Sequence, residues 1–338
     1  MGECRMRGLR RSFFFAALFL ISTTASRAND VSPIRVLTFN TWLLSVSPFY
    51  KTDHLESRLR LMPYMIKELN ADVILLQEVW GLTYRNQLIE EFSQRGYSEF
   101  AYTQQSNGLL TVSRFPIVAM KSIKFSENTA FLETFESKGV MKTEIQIPDF
   151  GSLDVYNTHL GSVAYDSSTR KFNHSHLRTL EKQVQELQDF VVDTQTHQNF
   201  IIGGDFNFHY DIWLDNQYWP APSDLYERIL GNWNFNLRLK DAARKFFKSN
   251  RETPYTYSRE NPYILNGNEY DGPSATLDYI FYSRKKSQLK PLQSHRVFTE
   301  AVSPDVKEKL GLPELPLRLS DHFGLFVDFE LLSEPQSN

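Results

Sequence analysis

A chain of 338 residues with 41% hydrophobic and 14% aromatic side chains has the material for a large core, which excludes a disordered protein. Its formal net charge of −3 excludes bulk attraction to a nucleic-acid backbone, so a nuclease built on it needs a local basic patch. A single cysteine, Cys4, excludes a disulfide framework.

At the N-terminus Arg5, Arg7, Arg10 and Arg11 precede an apolar run at 13–21. That run is shorter than the ~20 residues a bilayer crossing takes. Small residues over 22–28 offer cleavage after Ala25 or Ala28, completing the pattern of a secretory signal. The chain then divides into a signal at 1–28 and one domain at 29–338. The mature protein is expected to be secreted or periplasmic, with no thiol and no transmembrane segment.

Beyond the signal, strands and helices alternate. Residues 35–42 read as a strand. Leu55, Leu59, Met62, Ile66 and Leu69 recur at helical spacing, with Pro63 set to kink or divide that helix. A buried strand is expected at 73–77 and a helix at 82–92. Strands follow at 109–112, 117–125, 140–147 and 153–160. The clearest helix covers 177–192, with Leu180, Val184, Leu187 and Val191 on one face. His174 and His176 fall just ahead of it and read as a solvated helix start. Then come a strand at 200–202, which Gly203 and Gly204 end in a sharp turn, a short helix at 225–230 and a loop-rich stretch to 274. Strands at 277–282 and 323–329 complete the order. No linker separates two halves, so the expectation is one α/β domain with consecutive antiparallel hairpins rather than a regular βαβ array.

Several of these strands end in polar residues unsuited to a core. Val36, Thr38 and Asn40 alternate onto one face, as do Ile74, Leu76 and Glu78, and Leu153, Val155, Asn157 and His159. Asp205 and Asn207 follow two glycines, Thr276 and Asp278 open another strand, and Ser320-Asp321-His322 precede the last. Together they predict a shared polar rim. Glu78 and Asn40 are hard oxygen ligands suited to Mg²⁺. Zinc is disfavoured without an HExxH pair or a usable cysteine. His322 and Asp278 make a base and its orienter. Asp205 and Asn207 can hold water or a phosphate oxygen, and His159 can stabilise developing charge or protonate a leaving group. Neither a G-x-S-x-G elbow nor a Walker loop is present, which favours direct attack by water.

The ordered set Leu37-Thr38-Phe39-Asn40-Thr41-Trp42, Leu76-Gln77-Glu78-Val79, Asn157-Thr158-His159-Leu160, Gly204-Asp205-Phe206-Asn207, Leu277-Asp278-Tyr279-Ile280 and Ser320-Asp321-His322 resembles the endonuclease/exonuclease/phosphatase superfamily. Ser113-Arg114-Phe115-Pro116 is similar to an internal element of the same group. The resemblance implies a four-layer α/β/β/α sandwich of two packed, mostly antiparallel sheets, with metal-dependent phosphoester cleavage at one end. Within the superfamily the chain is most similar to the neutral, magnesium-dependent sphingomyelinases. That similarity rests on the Asn-Thr-His-Leu string, Ser137-Lys138-Gly139-Val140, Thr256-Tyr257-Ser258 and Asn261-Pro262.

The resemblance implies Mg²⁺ as cofactor, with Mn²⁺ or Co²⁺ as substitutes. It also implies a phospholipid substrate at a membrane surface, no stable nucleic-acid partner, and ceramide and phosphocholine as products. A secreted nuclease or phosphoinositide phosphatase is the alternative on the same chemistry. A non-catalytic effector that docks on membranes or host proteins is the second. Tyr210, Trp213, Tyr218 and Trp219, in the loop after Asn207, suit either a lipid interface or a small core under the loop.

Overall fold

The computed structural model describes residues 32–46, 50–103, 107–129, 137–166, 169, 171–209, 211–214, 217–220, 224–231, 238–250, 254–265, 274–284 and 287–332. They fall within one compact unit, Val31–Asn338. The expected signal segment and Tyr210 lie outside the described residues, as do the side chains of Trp213, Tyr218 and Trp219.

Twelve strands make the two main sheets. In chain order they are β1 (Ile34–Leu43), β2 (Val73–Val79), β3 (Glu99–Tyr102), β4 (Leu110–Ser113), β5 (Ile117–Lys124) and β6 (Gly139–Ile147). The rest are β7 (Gly151–His159), β8 (Phe200–Asp205), β9 (Leu239–Asp241), β10 (Asp278–Ser283), β11 (Leu289–Val297) and β12 (Gly324–Leu331). One sheet runs β11-β12-β1-β2-β4-β3 and the other β9-β10-β8-β7-β6-β5.

Pairing is antiparallel except at β1–β2 and β7–β8. Each parallel pair needs a crossover, supplied by helices α1 (Leu55–Glu68) and α3 (His174–Thr194). The expected run of hairpins therefore holds for β3-β4 and for β5-β6-β7, and is broken by two βαβ units. Helix α2 (Leu82–Ser93) lies between β2 and β3, and α4 (Leu225–Gly231) follows β8.

Three buried clusters separate four layers. Leu37, Phe39, Ile74 and Leu76 pack outward on Leu59, Met62 and Ile66 of α1 and Leu88 and Phe92 of α2. Val36, Val73, Leu75 and Val327 meet Val155, Ile201 and Ile280 between the sheets. Tyr156, Ile202 and Phe281 face Leu180, Val184 and Leu187 of α3 and Leu225 of α4. Period-two alternation on the strands and the apolar stripe of α3 produce this order directly.

Several local expectations change. β8 runs on through Gly203 and Gly204 to Asp205 instead of turning at the glycines. Pro63 sits inside α1, which continues past it as one helix. His174 and His176 lie in the first turn of α3 rather than ahead of it. Asn173 is the cap, accepting from the Ser175 and His176 amides at 2.9 and 3.3 Å. The loop-rich stretch to 274 also holds a hairpin, Asp211–Leu214 with Gln217–Pro220, that pairs with Ser274–Ala275. No helix among the described residues is long and apolar enough to cross a membrane.

Candidate active site

The site begins as one register row on the second sheet. Asp205, at the end of β8, pairs with His159 of β7 on one side and Asp278 of β10 on the other. Partners in register share a face, so three functional side chains stand together at the end of the layer between the sheets. Gly204 makes the row possible. A Cβ there would lie 2.0 Å from the Thr158 carbonyl oxygen, so only glycine lets the strands approach just before Asp205.

Sheet one supplies the opposite wall, through strained backbone. Alternation would send Glu78 outward with Ile74 and Leu76. Instead Glu78 takes φ +57°, a left-handed conformation costing about 1 kcal/mol or more, and turns to the site. Trp42, past the bulge after Asn40, has φ +48°. Asn40 Nδ2 then donates to Glu78 Oε1 at 3.0 Å and to Asp205 Oδ2 at 2.9 Å. Its Oδ1 accepts from the Trp42 amide at 3.0 Å. Asn40 thus turns its nitrogen, not its expected ligand oxygen, to the two carboxylates. Asn207, at φ +50°, donates its amide to Asp205 Oδ1 at 3.0 Å and its Nδ2 to the Leu160 carbonyl at 2.9 Å.

His322 closes the constellation from the segment before β12, where it bridges to Tyr257. Its Nδ1 lies 2.9 Å from Asp278 Oδ2, and its Nε2 lies 3.9 Å from Asp205 Oδ2. Burial alone would lower its pKa. The carboxylates of Asp278, Asp205 and Asp321 outweigh burial and push it up to about 10. Burial pushes Asp321 up to about 6 against the opposing field of His322. Asp205 is buried too, yet His159, His322 and Asn40 hold its carboxyl well below the ordinary range. His159 Nε2 is 3.4 Å from Asp205 Oδ2 and 4.0 Å from Glu78 Oε1.

The His322 shift carries a stability consequence. Its folded value lies above the ~6.5 of an unfolded imidazole. The contribution is therefore complete below pH ~6.5 and lost as pH rises through about 10. Metal-free protein in chelator should melt at a falling Tm from pH 6.5 to 10. His322→Gln should flatten that slope. An equal slope in both proteins, followed by circular dichroism, would refute the assignment.

A hard dication fits the donor set. Glu78, Asp205, Asp278 and Asp321 gather four carboxylates in one region. Asp278 Oδ1 is buried with no hydrogen-bond partner, a cost that a cation or water relieves. Asp205, Asp278 and His322 each offer a ligand atom within 4.8 Å of the others.

Comparison with known proteins agrees. Residues 37–322 match the profile of the endonuclease/exonuclease/phosphatase family. The chain belongs to that family. Its members are metal-dependent phosphoric ester hydrolases, which the acidic and histidine groups here suit. An inositol phosphosphingolipids phospholipase C of Schizosaccharomyces pombe is 32% identical over 321 residues, covering 89% of this chain and 69% of the relative. Among solved structures, beta toxin 275-280 from Staphylococcus aureus aligns at TM-score 0.62 and 18% identity, over 87% of this chain and 99% of its own. D. rerio TDP2 complexed with a single-strand DNA product aligns at TM-score 0.62 and 15% identity, over 88% and 99%. These two likenesses show the fold.

The geometry therefore brings together Asn40, Glu78, His159, Asp205, Asn207, Asp278 and His322. Asn157 instead clamps the sheets beneath the site. Its Oδ1 accepts from Gln77 at 2.8 Å, and its Nδ2 donates to the carbonyls of Leu76 and Leu110. Thr276 turns away to the Pro254 carbonyl. Lys138 was missing from the predicted set. This buried ammonium stands 2.9 Å from His159 Nε2 and 5.6 Å from the Trp80 ring centroid. The Ser137-Lys138-Gly139 string was its only sequence signal.

Proposed function

We propose that this chain is an exported, Mg²⁺-dependent phospholipase C-type phosphodiesterase acting on phosphosphingolipids at a membrane surface, with sphingomyelin the first substrate to test. The observation that carries it is the Asp278–His322 pair aimed at Asp205 and faced by Glu78, in a chain 32% identical to a phosphosphingolipid phospholipase C. When bound, a dication would polarise a phosphate oxygen and oppose the carboxylate field that raises the pKa of His322. Glu78 and Asp205 are the residues that would hold it, with Asn40 bridging them.

Asp278 fixes the His322 ring, and the deprotonated Nε2 takes a proton from water. The water oxygen bonds to phosphorus as the phosphorus–oxygen bond to the ceramide alkoxide breaks. Asp205 and Asn207 orient water and phosphate. Lys138 and His159 supply positive charge and a proton to the departing alkoxide. The products are ceramide and the phosphorylated headgroup.

The test is release of phosphorylated headgroup from phosphosphingolipid in mixed micelles, with and without chelator, beside a plasmid-nicking control. Chelation should abolish release and Mg²⁺ should restore it. Release that survives chelation, or nicking in place of lipid cleavage, refutes the reading. Mass spectrometry of the exported chain tests the signal.

A further inference from the structure

In a chain of net charge −3, positive charge is concentrated in two short stretches. Residues 238–251 carry Arg238, Lys240, Arg244, Lys245, Lys248 and Arg251 against one carboxylate, Asp241. Residues 284–290 carry Arg284, Lys285, Lys286 and Lys290 against none. The fold brings the two stretches side by side. The Arg284 amide donates to the Arg238 carbonyl at 2.7 Å, where β9 pairs with β10. Helix α5 (Arg244–Asn250) follows β9 and reaches β11, where Lys245 Nζ donates to the Pro291 carbonyl at 3.3 Å.

The result is an exposed stripe of one sign. Arg238, Lys240, Lys245, Lys248 and Arg284 are exposed. Lys290 is matched by Glu330 at 2.6 Å, but Lys240, Lys245, Lys248 and Arg284 form no ion pair among the described residues. Asp241 is already engaged. Its Oδ1 accepts from the Ala243 and Arg244 amides and its Oδ2 from the Tyr226 hydroxyl. Two residues of β9 and the seven of α5 give the stripe a length of about 20 Å. Like charges held this close repel one another, a cost that a bound polyanion offsets.

We propose that this stripe docks a linear sulfated polysaccharide. It is too remote to serve the reaction. Arg284 stands six residues along from Asp278, about 20 Å, which is more than two Debye lengths at physiological salt. The stripe is therefore not the basic patch that a nuclease needs at its site, and a bilayer seated on it would not present its phosphates to His322. Single-stranded bases would find no open ring to stack on. The Lys245 ammonium lies 4.5 Å from the Phe246 ring centroid and the Arg244 guanidinium 5.2 Å from that of Tyr226. Leu292 and Leu332, the exposed large apolar side chains of β11 and of the residue after β12, are too few for the core of a protein interface. A sulfated chain asks only for cations at intervals, and each sulfate it seats releases counterions. The choice of polysaccharide over duplex nucleic acid also draws on the export proposed above, since an exported chain meets such polymers outside cells.

Fluorescence anisotropy of a labelled heparin dodecasaccharide titrated with the full chain, at salt from about 50 to 200 mM, is the test, and it needs no catalysis. The triple variant Lys240→Gln, Lys245→Gln, Lys248→Gln should raise Kd about tenfold or more. It should also flatten the slope of log Kd on log salt by about two or more. A control triple of exposed lysines elsewhere, Lys121→Gln, Lys171→Gln, Lys307→Gln, makes the same change in net charge and should leave both readouts intact. Melting temperatures confirm folding. Should the first triple misfold, Arg284→Gln alone decides, with Kd up about threefold. No binding at physiological salt, or equal weakening by the two triples, overturns the proposal. Tighter binding of duplex DNA or of phosphatidylserine vesicles through the same three lysines overturns it too and hands the stripe to that partner. Heparin binding that stands in a chain found not to be exported removes the export reading alone.

Discussion

Replacing His322 by alanine should lower kcat by about three to four orders of magnitude while leaving KM for phosphosphingolipid within about twofold. On the proposed mechanism the imidazole acts through Nε2, and it is held by one side-chain bond, Nδ1 to Asp278 Oδ2 at 2.9 Å. No other described imidazole is paired with Asp278, so water loses its proton acceptor while the phosphate contacts persist. Stability should fall as well. Among the described residues Asp278 would lose its one ion-pair partner, at a site where its Oδ1 is already unpartnered, a change worth about 3–5 kcal/mol. Asp278→Asn separates the two effects. It keeps the shape and removes the charge, so the ring loses its orientation and about two or more orders of magnitude in kcat should go, with a smaller loss of Tm. Steady-state kinetics with thermal melts read both. A His322→Ala protein retaining a tenth of the wild-type kcat would eliminate His322 as the proton acceptor.

The sequence made the second sheet's half of the site readable, because its residues obey strict alternation on strands with strong apolar signals. His159 and Asp205 close such strands, Asp278 opens one, and one register aligns them. Glu78 was legible as an acid at a strand end but not in its direction, since that depends on a left-handed φ that no periodicity encodes. Asn157 looked like rim by the same alternation that places it on His159's face. Two residues deeper it meets Gln77 and becomes a buried clamp between sheets. Lys138 was hidden because a lone lysine before a strand reads as a solvated charge. Only the fold sets it against His159 and Trp80. Strand β11 was missed for its composition: Lys290, Pro291, Gln293, His295 and Arg296 suit an edge, where Pro291 costs no ladder bond beyond its bulge.

Arg58 is the second place where one substitution should have a large effect, and it acts at a distance from the chemistry. It projects from α1 and is fully buried, yet makes no salt bridge to any described carboxylate. Its five N–H donors meet five acceptors: the carbonyls of Asp53, Thr41, Leu319 and Trp42 and the hydroxyl of Thr52, at 2.7 to 3.2 Å. Burial lowers its pKa to about 10, so it remains charged at neutral pH. Two of those carbonyls directly follow Asn40 and one lies three residues before His322. The guanidinium thus ties the metal-side wall to the segment that presents the histidine, and helps hold Trp42 at its positive φ. Lysine brings three donors, so Arg58→Lys strands at least two acceptors at roughly 1–3 kcal/mol each and should lower Tm by about 5–15 °C. At 25 °C the folded fraction should show kcat down about ten- to a hundredfold, a higher Mg²⁺ requirement and a nearly unchanged KM, because the two walls shift relative to each other while the headgroup contacts survive. Arg58→Met, which strands all five acceptors, should fail to accumulate as folded protein. A stably folded Arg58→Lys enzyme with wild-type kcat and Mg²⁺ dependence but a lowered Tm would confine Arg58 to stability, and the walls of the site would have to be positioned by β1 and the Ser320 segment on their own.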